Sequence, residues 1–299
     1  MTSVSRSVRF LACGLVTLCW LTTRPAVAGS TTPPPYGPSW QRDFSTPLEE
    51  DESFLILGFG ADRQFSSSLL RSVDNGYLTV SDPRLPREGG SFAAIGFDAM
   101  SVFDDTRVTG TINLAGIPDP PPPTSGPGWE NEIGMGLLAR GDLIDGNAYV
   151  GGINFLTGEP FILLLTNRMI YEYDVRSGAS LADDIPDFKS RSFYLQFDTR
   201  SNYGFESGSL QIDSVDLKLS VYNQPGGTLL STVDWSTQSV FGPGLAGIFA
   251  SFRDAHNPEV YPPLFASFDD VAATVPEPPA VVLAGIGVVA CVAVRRRRW

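Results

Sequence analysis

The chain of 299 residues has only three cysteines and one histidine, and both shortages exclude classes of site. Cys13, Cys19 and Cys291 lie near the two ends, so residues 29–278 hold no thiol and no disulfide. His256 lies in the turn-like segment Arg-Asp-Ala-His-Asn-Pro and is interpreted as a solvated loop residue. A His/Cys zinc site and a Cys-His pair are therefore excluded, and a Ser-His-Asp triad has no nucleophile motif to support it.

Positive charge is also scarce in the body of the chain. Once residues 1–28 and 279–299, which we expect to be removed, are set aside, 14 basic residues stand against 33 acidic ones, a net charge of −19. Such a charge repels nucleic-acid phosphates and favours solubility, so no nucleic-acid partner is expected. No Gly-rich loop opens a helix, which leaves nucleotide binding without support.

The N-terminal segment has the three parts of a secretory signal peptide. Arg6 and Arg9 form the charged region, residues 10–21 form an apolar run, and Ala26-Val27-Ala28 is a small-residue cleavage site. We predict cleavage after Ala28. The alternative is a permanent N-terminal anchor, for which the 12-residue run is short, because a spanning helix needs roughly 20 residues.

The C-terminal segment has a different order of three parts. Pro276-Glu277-Pro278 precedes an uncharged apolar run at residues 280–294, and a basic cluster follows, formed by Arg295, Arg296, Arg297 and Arg298. A basic cluster stays on the cytoplasmic side of a membrane, so the body of the protein would lie on the outer side. The run of 15 residues is short for permanent spanning, which indicates transient anchoring in the inner membrane.

This order resembles the PEP-CTERM sorting signal of bacteria that secrete extracellular polysaccharide. The resemblance implies that the secretion machinery exports the chain and that an exosortase, a membrane cysteine protease, then cuts it near Pro276 to Pro278. It further implies a final location at the cell surface or outside the cell. The alternative is an ordinary C-terminal anchor with an accidental Pro-Glu-Pro.

The body of the chain shows short apolar or alternating runs, separated by turn residues, and no helical stripe. We predict a Pro-rich leader at residues 29–43, one all-β domain at residues 44–275, and the sorting signal with its apolar helix at residues 276–299. The domain is expected to be a two-sheet antiparallel β-sandwich. A length of about 250 residues is sufficient for one such domain.

Two kinds of strand support this fold. Residues 108–114, 193–197 and 215–221 alternate between apolar and polar side chains, as strands with one wet face do. The apolar runs at residues 54–59, 161–165 and 245–252 are expected to be central strands.

The order of these strands resembles the concanavalin-like jelly roll of lectin and glucanase domains over about residues 54–275. The segments that carry the resemblance are 136–140, 193–198, 210–233, 244–249 and 267–271. An immunoglobulin-like sandwich remains the alternative.

Glycosidases of the laminarinase type in that fold carry Glu-x-Asp-x-x-Glu on one strand, whose pleat places three carboxylates on one face. The nearest match is Glu172-Tyr173-Asp174, but Ser177 stands where the third carboxylate is required. We therefore assign no catalytic residue and expect a non-enzymatic protein. A divergent glycoside hydrolase is the alternative.

Clusters of acidic residues in loops are candidates for a structural calcium ion, because calcium takes six to eight oxygen ligands. None matches a calcium-loop pattern, but jelly rolls of the resembling kind often bind calcium. Asp269 and Asp270 are the first candidates, because they close the final strand, and no other cofactor is expected. The remaining candidates are Asp142 and Asp145 with Asn147, and Asp183 and Asp184 with Asp187.

Aromatic side chains near turns are candidates for glycan contact, since a pyranose face stacks on a ring while polar groups take the hydroxyls. They are Trp129, Tyr149, Tyr171, Tyr173 and Trp235, and core packing is the alternative for each. The leading hypothesis is an exported module associated with the polysaccharide matrix or the cell surface, with extracellular polysaccharide as its candidate ligand. A structural matrix protein without a small ligand is the third hypothesis.

Overall fold

A computed structural model describes residues 39–46, 53–58, 70–74, 77–81, 92–97, 102–115, 133–142, 144–155, 157–167, 169–206, 209–252 and 265–275. The predicted signal peptide, most of the leader and the sorting segment lie outside these residues. None of the helices in the described ranges is long and apolar enough to cross a membrane.

The described chain is built almost entirely of strands, with two short 3-10 helices at Leu181–Asp183 and Phe188–Ser190. The strands are β1 (Ser39–Arg42), β2 (Ser53–Gly58), β3 (Leu70–Asp74), β4 (Tyr77–Ser81), β5 (Phe92–Phe97), β6 (Thr106–Asn113), β7 (Ile133–Gly141), β8 (Ala148–Asn154), β9 (Pro160–Thr166), β10 (Met169–Ser177), β11 (Ser192–Glu206), β12 (Ser209–Tyr222), β13 (Leu229–Thr237), β14 (Leu245–Phe252) and β15 (Phe265–Thr274).

These strands form two sheets. One has eight strands in the order β13-β12-β11-β6-β15-β4-β3, with β1 also paired to β15, and the other has seven in the order β10-β9-β8-β7-β14-β5-β2. Every pairing is antiparallel among the described strands. The predicted all-β, two-sheet antiparallel sandwich is confirmed.

The main core lies between the sheets and follows the predicted alternation. Ile112 of β6, Phe197 of β11 and Leu217 of β12 are buried in it, while the side chains between such positions face outward. The outer face of the eight-stranded sheet is therefore polar. This is the face on which the candidate site lies.

The seven-stranded sheet is buried on both faces. On β9, Ile162 and Leu164 belong to the core between the sheets, whereas Phe161, Leu163 and Leu165 belong to a second apolar cluster on the opposite face. This explains why its strands have continuous apolar sequences. β14 is central as predicted, but β2 lies at the edge of the sheet among the described strands, because an apolar run does not fix the position of a strand in its sheet.

The folded region begins before the predicted boundary at residue 44. Ser39 to Arg42 form β1, which pairs with the end of β15, so that Ser39 lies opposite Thr274. The ring of Trp40 stacks on Phe97 with centroids 4.8 Å apart, which ties this strand to the core. The last residues of the predicted leader are thus part of the sheet.

One end of the sandwich is defined by the C-terminus of β15, and we call it the tail end. The start of β6 lies there, because the Thr106 hydroxyl donates to the Thr274 carbonyl at 3.1 Å. The segment 102–105, the turn 142–147 and the segment 238–244 also lie at this end, since each adjoins a strand terminus in the antiparallel arrangement.

A buried arginine joins these segments at the tail end. Arg140, with no solvent exposure, donates from Nε to the Asp104 carbonyl at 2.7 Å and from Nη1 to the Phe241 carbonyl at 3.0 Å. Its Nη2 lies 3.1 Å from a carboxylate oxygen of Asp104 and of Asp105, and donates to the Ser201 hydroxyl at 2.6 Å. One guanidinium therefore connects both sheets.

Candidate functional site

The outer face of the eight-stranded sheet carries a row of alternating charges across four strands. Asp198 of β11 lies opposite Arg107 of β6 on one side and opposite Lys218 of β12 on the other. Lys218 in turn lies opposite Asp234 of β13. Because the register places these residues on one face of the pleat, cations and carboxylates alternate along the row.

A second row runs beside the first. Arg200 of β11 lies opposite Asp216 of β12, which lies opposite Ser236 of β13. The two rows enclose a groove of about 410 Å³, within the range of small-ligand sites. We call it the outer groove, lined by Asp198, Arg200, Asp216, Leu217, Lys218, Asp234, Trp235 and Ser236.

Ion pairs hold the carboxylates of the first row. Arg107 donates from Nε to Asp198 at 2.6 Å and from Nη2 at 3.4 Å, and the Gln196 amide donates to the same carboxylate at 2.7 Å. Lys218 Nζ lies 3.3 Å from an Asp234 oxygen. Carboxylates fixed in this way present their remaining lone pairs at defined positions, and Lys218 has further N–H donors.

Asp216 is held ionised by its neighbours. A hydrogen bond from Asn202, followed by one from Ser236, lowers the pKa of the Asp216 carboxyl below its usual value, and the Arg200 charge acts in the same direction. Asp216 is therefore a hydrogen-bond acceptor in the groove. A general acid would need the opposite shift.

Trp235 is the one predicted aromatic residue that the structure places at the outer groove. It is half-buried on β13, packs against the core and lines the groove. The Arg176 guanidinium of β10 lies 4.8 Å from the centroid of its ring. Arg176, from the other sheet, therefore occupies one face of the indole in a cation–π contact. Trp235 lies opposite the buried Leu217 of β12, so its ring shares the inward face of the sheet, and the outward-facing groove side chains of β13 are Asp234 and Ser236.

Tyr149 is not a glycan platform, because it is buried without exposure in the core. Its hydroxyl donates to the Ser239 carbonyl at 2.7 Å and accepts from the Phe241 amide at 2.9 Å. Its ring stacks on Phe241 with centroids 4.7 Å apart. Burial raises the pKa of the Tyr149 hydroxyl, which stays a neutral donor inside the protein.

The other predicted aromatic positions cannot be placed. Trp129 lies outside the described residues. The side chains of Tyr171 and Tyr173 on β10 also lie outside the described part of the structure, and so do the carboxylates of Glu172 and Asp174.

The structure brings together an aromatic pair that sequence reasoning did not select. Tyr194 of β11 and Tyr222 of β12 are opposite each other on the outer face, with ring centroids 6.3 Å apart and planes tilted by 54°. Both lie four residues along their strands from the Asp198–Lys218 pair, a distance of about 13 Å. Their outward positions were visible in the alternation, but their proximity depends on the register.

The predicted calcium ligands lie on β15 at an irregularity of the strand. Asp270 has a φ of 50°, and its amide donates to the Asp269 carboxylate at 2.8 Å. Partial burial, followed by the charges of Asp270 and Asp43, raises the pKa of the Asp269 carboxyl. Asp43 itself accepts hydrogen bonds from Ser45 at 2.8 and 3.1 Å.

Within the described residues, no group of three or more His, Cys, Asp or Glu side chains is arranged to hold a metal ion. Asp142 and Asp187, in the other acidic loops, form contacts with residues close to them in the sequence. Asp142 accepts from the Ile144 and Asp145 amides in its turn, and Asp187 pairs with Arg191 at 2.8 Å. Asp183 and Asp184 are exposed, and Asn147 accepts from the Asn167 amide. Calcium at Asp269 and Asp270 stays a prediction.

The raised pKa of Asp269 makes the calcium prediction testable with a defined sign. In the presence of chelator, the carboxyl stabilises the fold while protonated, and this contribution is lost as the pH rises through its titration. Asp269→Asn should therefore raise the Tm at pH 7 without calcium and have little effect near pH 3.

If calcium binds, a hundredfold excess over Kd should stabilise the wild type by about 2.7 kcal/mol. For a domain of this size, that corresponds to about 5 to 10 °C in Tm. Asp269→Asn and Asp270→Asn should remove the calcium effect, whereas Asp234→Asn, on an exposed aspartate of β13, should keep it. Identical melts of the wild type with calcium and with chelator would contradict the site.

Comparison with solved structures finds likenesses to a carbohydrate-binding module, a lectin-like protein and a GH43 protein. The carbohydrate-binding module CBM66 from Bacillus subtilis shares 13% identity with a TM-score of 0.40, covering 75% of this chain and 96% of the module. Arcelin-5, a lectin-like defence protein from Phaseolus vulgaris, shares 10% identity with a TM-score of 0.43, covering 80% and 99%. GH43B of the Bacteroides ovatus xyloglucan PUL shares 12% identity with a TM-score of 0.42, covering 85% and 42%.

A carbohydrate-binding module and a lectin-like protein are thus among the structures to which this chain is similar. At these identities and TM-scores, the likeness concerns the arrangement of strands and says nothing about a ligand. No curated protein matches the sequence.

The C-terminal segment is matched by a family model over residues 274–298, which contain the Pro-Glu-Pro, the apolar run and the basic cluster. The model describes the PEP-CTERM protein-sorting motif. The predicted sorting signal is confirmed, and the chain is an exported protein with a PEP-CTERM signal that marks it for exosortase processing.

Proposed function

We propose that this protein is a non-enzymatic module of the extracellular polysaccharide matrix or the cell surface, and that it binds glycan in the outer groove. Its C-terminal segment anchors it in the inner membrane until the exosortase removes that segment. The observation that carries the binding proposal is the outer groove itself, where two rows of fixed charges line a volume suited to one or a few sugar units.

The chemistry of the groove suits sugar hydroxyls. Three carboxylates, from Asp198, Asp216 and Asp234, supply acceptors, and Arg200 and Lys218 supply donors beside them. The three acidic and two basic side chains leave the groove close to neutral, although the body carries a net charge of −19. A neutral polysaccharide therefore matches the groove better than a strongly charged one.

The same residues disfavour glycoside hydrolysis in the groove. A glycosidase needs one carboxyl with a raised pKa as general acid beside a second carboxylate. Asp216 has a lowered pKa instead, and Asp198 is fixed by Arg107 and Gln196. These contacts favour binding over hydrolysis, with a divergent glycosidase as the second candidate.

Glycan-array retention of the processed protein should identify a ligand whose affinity depends on the outer groove. Asp216→Ala removes the acceptor at the centre of the second row and should weaken binding about tenfold or more, in proportion to a lost charged hydrogen bond. Asp187→Ala is the matched control, because this aspartate is also ionised, exposed and paired to arginine, but lies outside the groove.

The array should include neutral glucans, galactans and the polysaccharide of the producing cells. Retention that Asp216→Ala leaves unchanged would place the glycan elsewhere. Absence of both retention and sugar release would favour the structural matrix protein, whereas release of reducing sugar would favour the hydrolase.

A further inference from the structure

Large apolar side chains of the described residues are exposed chiefly at the tail end. Ile144 in the turn between β7 and β8 is 81% exposed, Val102 is 47% exposed and Val240 is 37% exposed. Tyr203 near the end of β11 is also exposed, and its hydroxyl reaches Asp104 at 3.3 Å. Three separate connections thus each present an aliphatic side chain at one end of the sandwich.

The chain leaves the sandwich at this same end. β15 runs to Thr274, which lies opposite Arg107 of β6 and Ser39 of β1. Val275 is half-buried and still packs against the core. The polypeptide is therefore held by the body up to Val275, and only residues 276–279 separate it from the apolar run that starts at Ala280.

These four residues leave the body little distance from a membrane that holds the apolar run. Three of the four are proline, and an extended Pro-rich segment spans about 3.1 Å per residue, so the linker reaches about 12 Å. The headgroup layer alone takes about 5 to 8 Å on each side of the bilayer. Val275, the last residue held by the body, would then lie within a few ångströms of the headgroups.

The length of the apolar run reduces this distance further. Fifteen residues in a helix span about 22 Å, which is less than the hydrocarbon thickness of about 30 Å. Because the four arginines stay on the cytoplasmic side, the outer end of the helix would lie below the opposite interface. A short anchor of this kind draws its flanking residues towards the membrane.

The charge at the tail end indicates which lipids suit it. Arg140 is outweighed by Asp104 and Asp105, and Asp142 and Asp145 add two further acidic groups in the exposed turn. An acidic end is repelled by anionic headgroups. A zwitterionic lipid surface is therefore the one that the exposed aliphatic side chains of the tail end can contact without this repulsion.

We propose that the tail end of the sandwich lies on a zwitterionic lipid surface while the C-terminal segment is inserted, with Ile144, Val102 and Val240 at the contact. The proposal rests on the membrane anchoring included in the proposed function, but not on glycan binding. Removal of the segment frees this end, since a few isolated aliphatic side chains bury too little area to hold a protein at a membrane alone.

The contact can be measured with a fluorophore, because the body has no cysteine of its own. The signal-cleaved, unprocessed chain with Cys291→Ser is labelled at Ile144→Cys and reconstituted in phosphatidylcholine vesicles that contain brominated lipid. The matched control carries the label at Gln224→Cys, an exposed turn residue between β12 and β13 at the opposite end. Co-flotation with the vesicles reports insertion of the C-terminal segment separately.

Quenching by brominated lipid should be several times stronger at position 144 than at position 224, and should disappear when the C-terminal segment is cut off. Anionic lipid in the vesicles should weaken it. A chain that floats with the vesicles but shows equal quenching at both positions would overturn the contact alone. A chain that does not float would overturn the contact together with the anchoring on which it rests.

Discussion

Arg140→Met is expected to lower the free energy of unfolding by about 3 to 5 kcal/mol, the range found when one partner of a buried ion pair is removed. Asp104 and Asp105 would lose their shared cation, and the Asp104 and Phe241 carbonyls would lose their N–H donor. These acceptors are partly buried, so leaving them without a partner costs free energy in addition to the lost attraction. In a domain of this size the Tm should fall by about 6 to 20 °C.

Two variants make this prediction specific to the buried network. Arg140→Lys keeps the charge but cannot reach the separate acceptors with one ammonium group, so its Tm should lie between those of the wild type and Arg140→Met. Arg191→Met removes an exposed arginine from its aspartate, Asp187, and should leave the Tm nearly unchanged. Thermal unfolding followed by circular dichroism measures all three. A loss of less than about 1 kcal/mol in Arg140→Met would contradict the structural role of this residue.

Alternation of side chains was sufficient to predict three strands of the polar-faced sheet. β6, β11 and β12 each have one solvent-exposed and one buried face, so apolar and polar residues alternate along them. This alternation locates the strands in the sequence. The seven-stranded sheet was predicted as strands for another reason, its continuous apolar runs. Those runs could not place β2 at the edge of the described strands, because an apolar sequence does not fix the order of strands in a sheet.

The outer groove could not be predicted from the sequence. Asp198 is separated by 91 residues from Arg107, and their contact depends on the register of β11 with β6. Of the residues that line it, Asp216 and Lys218 were recognised only as the solvent-exposed face of a strand, and Trp235 only as a candidate for glycan contact. Nothing local in the sequence distinguishes a charge that lines a groove from one that is simply solvated.

Buried polar residues were the other limit of sequence reasoning. Arg140 follows the apolar segment Leu137-Leu138-Ala139, and its partners at Asp104, Ser201 and Phe241 come from distant parts of the chain. Tyr149 next to a turn stayed a candidate for glycan contact, with core packing as the alternative, for the same reason, because the acceptor of its hydroxyl is 90 residues away. Whether such a side chain finds hydrogen-bond partners inside the fold depends on tertiary contacts, which the local sequence does not show.

The C-terminal segment should be absent from the native protein in its final location. Intact-mass analysis of the protein purified from the producing cells should show a chain that ends near Pro276 to Pro278, without the apolar run and the arginines. The new terminus would lie within a few residues of Val275, which packs on the core, so the processed chain keeps the complete sandwich. The expected effect is all-or-none, because the segment is either present or removed.

A matched variant separates recognition of the motif from general proteolysis of an exposed linker. Pro276→Ser with Pro278→Ser keeps Glu277, the apolar run and the basic cluster, but removes the outer residues of the matched motif. This variant should retain the segment and remain with the inner membrane, held by the run and the arginines. Wild-type protein that ends in Trp299 as its stable form would refute processing, and equal cleavage of the variant would show that the motif does not direct it.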